Sequence, residues 1–135
     1  MDLTAEMLYG KAGWLLEERQ TPNEARGQVM NDVPQIQIHD AKKKLDEKAC
    51  TFVDIRDPGS YNAAHIPGAM QLNDGNVQEF LQNADKETPV VVYCYHGNSS
   101  LGATAFLIEN GFKDVASMSG GFEAWRQVYE HEAKD

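Results

Sequence analysis

A continuous apolar run, PVVVY at residues 89–93, restricts the fold more than any other segment. Because no polar residue interrupts it, this run fits a strand that is buried on both faces at the centre of a parallel sheet. From Ile36 onward, strand-like and helix-like segments alternate at short intervals, which is typical of α/β domains. The sequence therefore predicts an α/β domain with a mainly parallel sheet.

Turn and cap residues divide this part of the chain into elements. Strands are predicted at residues 36–38, 51–55, 70–72, 89–93 and 115–118. The first predicted helix runs from a cap at Asp40 to Lys48, and a short second helix follows the turn at residues 57–60. Three further helices are predicted over 77–81, over 100–110, and through Phe122, Trp125 and Val128. Gly111 is predicted to end the fourth helix, whose sheet-facing residues would be Leu101, Ala105, Leu107 and Ile108.

Residues 1–34 are predicted to form an N-terminal extension to a single domain at residues 35–135. Thr4 is predicted to cap a helix that continues to about Arg19, and a polar linker with Pro and Gly residues follows. A chain of 135 residues is long enough for one hydrophobic core and short for two.

The net charge argues against two classes of partner. The chain has 12 Lys and Arg against 21 Asp and Glu, which gives a formal charge of −9. Nucleic acid or an anionic membrane would have to bind against this field, so neither is expected as a partner. The sequence shows no run as long as a membrane-spanning helix, and its first thirty residues lack the pattern of a signal peptide. We therefore expect a cytoplasmic protein.

The two cysteines do not form a known metal or redox motif. Cys50 and Cys94 are 44 residues apart, without a C-x-x-C or a paired Cys/His spacing. No metal and no organic cofactor is expected. Cys50 precedes a predicted strand and is expected to pack as a small apolar residue.

Cys94 lies where the predicted central strand ends and the next helix begins, the position at which open α/β sheets place their ligand sites. Unpaired N–H groups of the loop and the N-terminus of the helix favour a thiolate over a thiol there. Gly97 lets the backbone approach the sulfur, and Asn98, Ser99 and Ser100 supply polar groups around it. Cys94 is therefore the candidate nucleophile.

The residues around Cys94 argue against several hydrolases. A cysteine phosphatase loop needs an Arg six residues after its Cys to bind phosphate, and Ser100 occupies that position. His96 is too close in sequence to indicate a Cys/His pair, and residues 97–102 match a serine nucleophile elbow only with an extra residue. Sulfur transfer remains, in which a thiolate attacks a sulfane sulfur and holds it as a persulfide.

Four ordered motifs resemble those of the rhodanese family. CYHGNS at residues 94–99 resembles the active-site loop, most closely that of single-domain thiosulfate sulfurtransferases of the GlpE type. VDIRDP at 53–58 with AHIPGA at 64–69 resembles the N-terminal signature of the family, and GGFEAW at 120–125 resembles the C-terminal one. The resemblance covers about residues 35–130.

This resemblance implies a rhodanese-like fold, with a five-stranded, mostly parallel sheet flanked by helices on both faces. It also implies that Cys94 takes sulfur from thiosulfate and that the backbone N–H groups of the loop hold the persulfide. The loop residues are Tyr95, His96, Gly97, Asn98 and Ser99. The acceptor would be cyanide in an assay, or a dithiol such as thioredoxin in the cell. This loop carries no Arg or Lys, so we expect weak thiosulfate binding.

Residues outside the loop are expected to support the site. Asp54 and Arg56 are expected to form an ion pair that holds the loops at the active-site edge, with binding of an anionic donor by Arg56 as the alternative. Ser100 is expected to support the loop, and His65 to anchor its own loop by hydrogen bonds rather than to bind a metal.

Two other functions stay open on the sequence alone. The chain could be a persulfide carrier that delivers sulfur to a partner protein and turns over thiosulfate poorly. Arsenate or phosphate-ester chemistry on the related phosphatase scaffold is a third hypothesis, which Ser100 disfavours. The leading hypothesis is a sulfurtransferase that works by double displacement through a Cys94 persulfide.

Overall fold

The structure is a computed structural model that describes residues 33–133. The helix predicted from Thr4 to Arg19, and all but the last two residues of the predicted extension, lie outside the described residues.

Five strands of the described chain form one sheet. They are β1 Gln35–Ile36, β2 Thr51–Asp54, β3 Met70–Gln71, β4 Val90–Tyr93 and β5 Val115–Met118. Their order across the sheet is β1-β5-β4-β2-β3, and every neighbouring pair is parallel. The predicted sheet, with the apolar run at its centre, is therefore confirmed, and all of it is parallel.

Helices cover both faces of this sheet, as predicted. They are α1 Ile38–Asp46, α2 Pro58–Ala63, α3 Val77–Asn83, α4 Ser99–Glu109 and α5 Gly121–Trp125. Side chains of β4 alternate between two apolar clusters. One cluster joins Val90 and Val92 to α3 and α4, and the other joins Val91 and Tyr93 to α1 and α5. The central strand is buried on both sides because helices pack against each of its faces.

The start of the first helix and the end of the last one each differ from the prediction by three residues, more than the other helix boundaries do. Gln37, not Asp40, is at the N-cap of α1; its backbone is extended and its side chain makes no cap hydrogen bond. Asp40 lies in the first turn of this helix, where a carboxylate interacts favourably with the helix dipole. The last helix ends at Trp125, because the chain turns back there and the indole N–H of Trp125 donates to the carbonyl of Glu130. Val128 therefore lies beyond α5 and is 55% exposed.

The buried face of α4 agrees with the predicted one at Ala105 and Leu107 and differs from it at Ile108. Ile108 is 40% exposed, whereas Ala103 and Leu107 are fully buried. The buried face combines one large residue, Leu107, with three small ones, and the four have i, i+3, i+4, i+7 spacing: Ser100, Ala103, Thr104 and Leu107. Ile108 lies about 100° around the helix from Leu107 and so points away from the sheet.

None of the helices within residues 33–133 combines the length and the apolar character that crossing a bilayer requires.

Candidate active site

Cys94 directly follows β4, the middle strand of the sheet, and precedes α4 by a four-residue loop. Its side chain is only 5% exposed and belongs to the cluster that packs under α4. The position at the carboxyl end of a central parallel strand is the one at which α/β sheets bind ligands. The fold therefore places the predicted nucleophile at the edge where binding is expected.

Two backbone N–H groups point at the sulfur of Cys94. The N–H of Gly97 lies 3.2 Å from Sγ and the N–H of Ser100 lies 3.3 Å from it. The Ser100 hydroxyl oxygen is 3.4 Å from the same sulfur. Donors at these distances stabilise negative charge on sulfur more than they stabilise a neutral thiol.

The five predicted loop residues do not contribute equally to this arrangement. Within residues 33–133, the N–H groups that reach Sγ are those of Gly97 and Ser100. Tyr95, His96 and Asn98 have exposed side chains. Ser100, which the sequence suggested only as a supporting residue, thus supplies a direct contact. Its position at the second residue of α4 explains this contact, since N–H groups of the first helical turn have no partner within the helix.

The turn before α5 packs directly against the Cys94 loop. Gly97 has φ +98, and a Cβ there would lie 3.0 Å from the backbone nitrogen of Gly120. The N–H of Phe122 donates to the carbonyl of Cys94 at 2.8 Å, and the N–H of Glu123 donates to the carbonyl of Tyr95 at 3.0 Å. The GGFEAW motif therefore holds the backbone of the loop. Sequence reasoning missed this link, for which the consecutive glycines were the available signal.

Tyr95 ties the other side of the loop to the start of α2. Its hydroxyl donates to Oδ1 of Asp57 and also contacts the hydroxyl of Ser60. Asp57 is the N-cap of α2, where its Oδ2 accepts from the N–H of Ser60 at 3.0 Å. Hydrogen bonds from Tyr95 and Ser60 lower the pKa of Asp57 to about 2, so this carboxylate is ionised at neutral pH. The sequence had indicated Asp57 only as a turn residue.

Asp54 and Arg56 form a buried ion pair at the end of β2. The guanidinium donates to both carboxylate oxygens, the shorter bond being 2.7 Å, and it also donates to the carbonyl of Ala64 at 2.5 Å. Its Cζ lies 4.2 Å from the ring centroid of Phe122. Asp54 is fully buried and Arg56 is 6% exposed. Nε and Nη2 of Arg56 are therefore hydrogen-bonded within the protein.

Cys50 lies at the opposite end of the sheet from Cys94. It precedes β2, whereas Cys94 follows β4, and these two parallel strands pair from Thr51 with Val90 to Asp54 with Tyr93. The register separates the two cysteines by about 16 Å along the strand direction, beyond the reach of a disulfide. Burial raises the pKa of the Cys50 thiol to about 11. Cys50 packs beside the apolar cluster under α1 and α5, as the sequence predicted.

His65 anchors its loop by hydrogen bonds, as predicted. Its Nδ1 lies 2.7 Å from the carbonyl of Tyr61, and its ring stacks on the Tyr61 ring with centroids 4.0 Å apart. Its backbone pairs with that of Glu132. Across residues 33–133, no three His, Cys, Asp or Glu side chains group as metal ligands do.

The chain is similar to known proteins over most of its length. A family model described as a rhodanese-like domain matches residues 37–128. The chain is 45% identical over 94 residues to the thiosulfate sulfurtransferase GlpE of Pseudoalteromonas translucida, covering 70% of this chain and 90% of that protein. It is also 45% identical over 104 residues to the protein of the same name from Tolumonas auensis, covering 77% and 98%.

A solved structure shows the same fold. The crystal structure of a rhodanese-like domain protein from Staphylococcus aureus superposes with a TM-score of 0.67 at 26% identity. The superposition covers 76% of this chain and all of that one.

Proposed function

The chain belongs to the rhodanese-like family, and we propose that it acts as a thiosulfate sulfurtransferase through a persulfide on Cys94. Relatives with this named activity cover most of the chain, which supports the reaction class. The single observation that carries the mechanism is the pair of N–H groups, from Gly97 and Ser100, that meet at the Cys94 sulfur.

In the first half-reaction, the thiolate of Cys94 attacks the outer sulfur of thiosulfate. A bond forms between Sγ and this sulfur, the bond between the two sulfurs of thiosulfate breaks, and sulfite leaves with the bonding electron pair. The enzyme then holds a persulfide whose negative charge lies on the outer sulfur. From the thiolate, this step needs no proton transfer and so no general base.

In the second half-reaction, a nucleophile attacks the outer sulfur of the persulfide. With cyanide, a carbon–sulfur bond forms, the sulfur–sulfur bond breaks and thiocyanate leaves. The bonding electrons return to Sγ, which becomes a thiolate again. The N–H groups of Gly97 and Ser100 serve in both steps, because Sγ carries charge as the nucleophile in the first and as the leaving group in the second.

We assign the remaining loop residues to the walls of the persulfide site. Tyr95, His96, Asn98 and Ser99 form the mouth of the loop, and Tyr95 fixes its geometry through Asp57. Asp54 and Arg56 hold the neighbouring strand end and support the loop through Phe122. A dithiol protein such as thioredoxin as acceptor, and a cytoplasmic location, remain predictions from the sequence.

Intact-mass measurement tests this proposal. The protein is incubated with thiosulfate, and part of it is then treated with cyanide. We expect a gain of about 32 Da, one sulfur atom, that cyanide removes. Cys94→Ser should show no gain, and Cys50→Ser, the matched control, should behave as wild type. A cyanide-labile gain that persists in Cys94→Ser would contradict the assignment of the nucleophile.

A second function, sulfur delivery to a partner protein, is favoured by one observation. The cation at the end of β2, Arg56, is bound to Asp54 and buried, and the loop itself carries no Arg or Lys. A doubly charged anion such as thiosulfate would therefore meet little positive charge at this site. If thiosulfate gives no adduct and a cysteine desulfurase with cysteine does, the protein is a persulfide carrier.

A further inference from the structure

Two buried hydroxyl groups form a chain that ends on the Cys94 sulfur. Ser117 Oγ, on β5, lies 2.7 Å from Ser100 Oγ, and Ser100 Oγ lies 3.4 Å from Sγ. Ser100 is fully buried and Ser117 is 1% exposed, so neither hydroxyl is open to bulk water. A buried hydroxyl without a hydrogen bond is costly, so the contact with Ser100 stabilises the buried hydroxyl of Ser117.

We propose that Ser117 is a positioning residue for sulfur transfer, which donates its hydrogen bond to Ser100 so that the Ser100 hydroxyl donates to the Cys94 thiolate. This inference rests on the proposed function, because it concerns the same sulfur. It adds a residue that lies outside all four sequence motifs and acts on the reaction only through Ser100.

The direction of these hydrogen bonds depends on how many protons the hydroxyl groups can donate. A hydroxyl has one proton to donate and can accept as well. When Cys94 is a thiol, its S–H donates to Ser100 Oγ, and the Ser100 proton is free to point at Ser117. A thiolate can only accept, and a charged acceptor competes better than a neutral hydroxyl for the Ser100 proton, which therefore turns to the sulfur. The 2.7 Å contact between the serines then persists only if Ser117 donates.

This reversal matters because Sγ gains charge twice in the reaction. It is a thiolate when it attacks the donor, and again when it leaves the persulfide. In the persulfide the charge lies on the outer sulfur instead. When Ser117 donates to Ser100, it polarises the Ser100 hydroxyl and makes it a stronger donor to Sγ. Hydrogen bonds that end on a charged sulfur are stronger than those of the neutral thiol, so losing Ser117 costs the charged states of Sγ more than it costs the thiol or the persulfide.

The backbone fixes Ser117 for this role. β5 pairs Ser117 with Val92 of β4, and the N–H of Ser117 donates to the carbonyl of Pro34 at 2.9 Å. The side chain thus projects from a strand that is held on both edges, beside the strand that ends at Cys94. A hydroxyl on a rigid strand loses little entropy when it forms the hydrogen bond.

The alkylation rate of Cys94 as a function of pH tests the proposal in the full-length protein. We expect Ser117→Ala to slow alkylation at neutral pH by about three- to tenfold while leaving the limiting rate at high pH unchanged. Ser117→Thr, which keeps the hydroxyl, should restore the rate. The ionisable groups on the elements around the loop stay the same in these variants; they are Asp54, Arg56, Asp57, Tyr93, Tyr95, His96 and Glu123.

Thr104→Val is the matched control. Thr104 is also fully buried, and its hydroxyl donates to the carbonyl of Ser100 at 2.7 Å, but it does not contact the hydroxyl chain. Thr104→Val should leave the pH profile of alkylation unchanged. If Thr104→Val and Ser117→Ala slow alkylation equally, or if Ser117→Ala has no effect, the proposal is wrong.

A double-mutant cycle tests whether Ser117 acts through Ser100. In the Ser100→Ala background, the further change Ser117→Ala should have no effect on alkylation. Additive effects would overturn the proposal. Because alkylation needs no sulfur donor, this result is independent of the proposed function: a wild-type protein that gains no sulfur in the mass measurement would refute the function alone.

Discussion

The backbone N–H of Phe122 donates a 2.8 Å hydrogen bond to the carbonyl oxygen of Cys94. The C-terminal motif is thereby joined to the nucleophile itself, although 28 residues separate the two in sequence. The contact requires the chain to pass very close to the loop, and Gly121 makes this possible. With φ +62, Gly121 has a backbone conformation that other residues adopt at a cost, and a Cβ there would lie 2.7 Å from the Cys94 oxygen.

Replacing Gly121 by Ala should therefore destabilise the protein and displace the loop. We expect a loss of about 2–4 kcal/mol in the free energy of unfolding, because backbone strain and a steric clash add. Denaturant unfolding measures this loss, and the mass assay should show less persulfide. Gly68→Ala is the control, since Gly68 has φ +81 but nothing within 4 Å of its Cβ position. It should cost only about 1–2 kcal/mol. Equal losses of unfolding free energy in Gly121→Ala and Gly68→Ala would show that the clash with the Cys94 loop does not contribute.

Replacing Arg56 by Met should be costly because it leaves the Asp54 carboxylate buried without its partner. We expect a loss of about 3–5 kcal/mol in the free energy of unfolding. Lys42→Met provides the contrast, since Lys42 pairs with Asp46 at the surface and should contribute about 0–1 kcal/mol. An Arg56→Met protein of normal stability with a raised KM for thiosulfate would instead assign Arg56 to donor binding.

Replacing Tyr95 by Phe should raise the pKa of Asp57 from about 2 toward the ordinary value of 3.8 for an aspartate. The hydroxyl of Tyr95 is the largest cause of the lowered pKa, and hydrogen bonds from the N–H and the hydroxyl of Ser60 come next. A lowered pKa in the folded state stabilises the protein above about pH 4 and ceases to do so as the pH falls toward 2.

An NMR titration of the Asp57 carboxyl carbon measures this change. Wild type should titrate near pH 2 and Tyr95→Phe at a higher pH, while the stability gap between them narrows in acid. Tyr61→Phe removes a hydroxyl that donates to the carbonyl of Ala69 and not to Asp57, so it should leave the titration unaltered. An unshifted Asp57 in Tyr95→Phe would contradict the assigned cause.

The two cysteines should differ sharply in their reaction with iodoacetamide. Burial raises the pKa of Cys50 to about 11, so at neutral pH it remains a thiol, which is a poor nucleophile. Peptide mapping after brief labelling at neutral pH should find the label on Cys94. Cys50 should react only as the pH approaches 11 or when the protein is unfolded. Preferential labelling of Cys50 in the folded protein at neutral pH would contradict this assignment.

Local sequence was sufficient for most of the secondary structure. The run at residues 89–93 predicts the central strand because continuous apolar residues need burial on both faces, and β5 has the bounds predicted for it. Gly111 follows the last residues of α4 with φ +97, as a helix-ending glycine does. The position of Cys94 could also be predicted from the order of elements along the sequence. It lies between a strand and a polar loop that leads into a helix, which places it at the carboxyl end of the strand.

Contacts between distant segments could not be read in the same way. The hydrogen bonds of Tyr95 with Asp57, and of Ser117 with Ser100, depend on strand order and on the register of parallel strands. Hydrophobic periodicity indicates which face of an element is buried but not which residue of a neighbour it meets. The exposure of Ile108 could not be predicted for the same reason. The face of α4 that packs against the sheet consists mostly of small residues, whereas hydrophobicity alone would place Ile108 there.

The strand order also determines when the reactive centre forms during translation. β4 lies between β2 and β5, and β1 pairs with β5, the last strand to be synthesised. A nascent chain that ends before residue 115 therefore lacks one neighbour of the strand that leads to Cys94. It also lacks Ser117 and the N–H of Phe122. Long-range parallel pairing closes late in folding, so the contacts that hold the Cys94 loop in place form only after the loop itself has been synthesised.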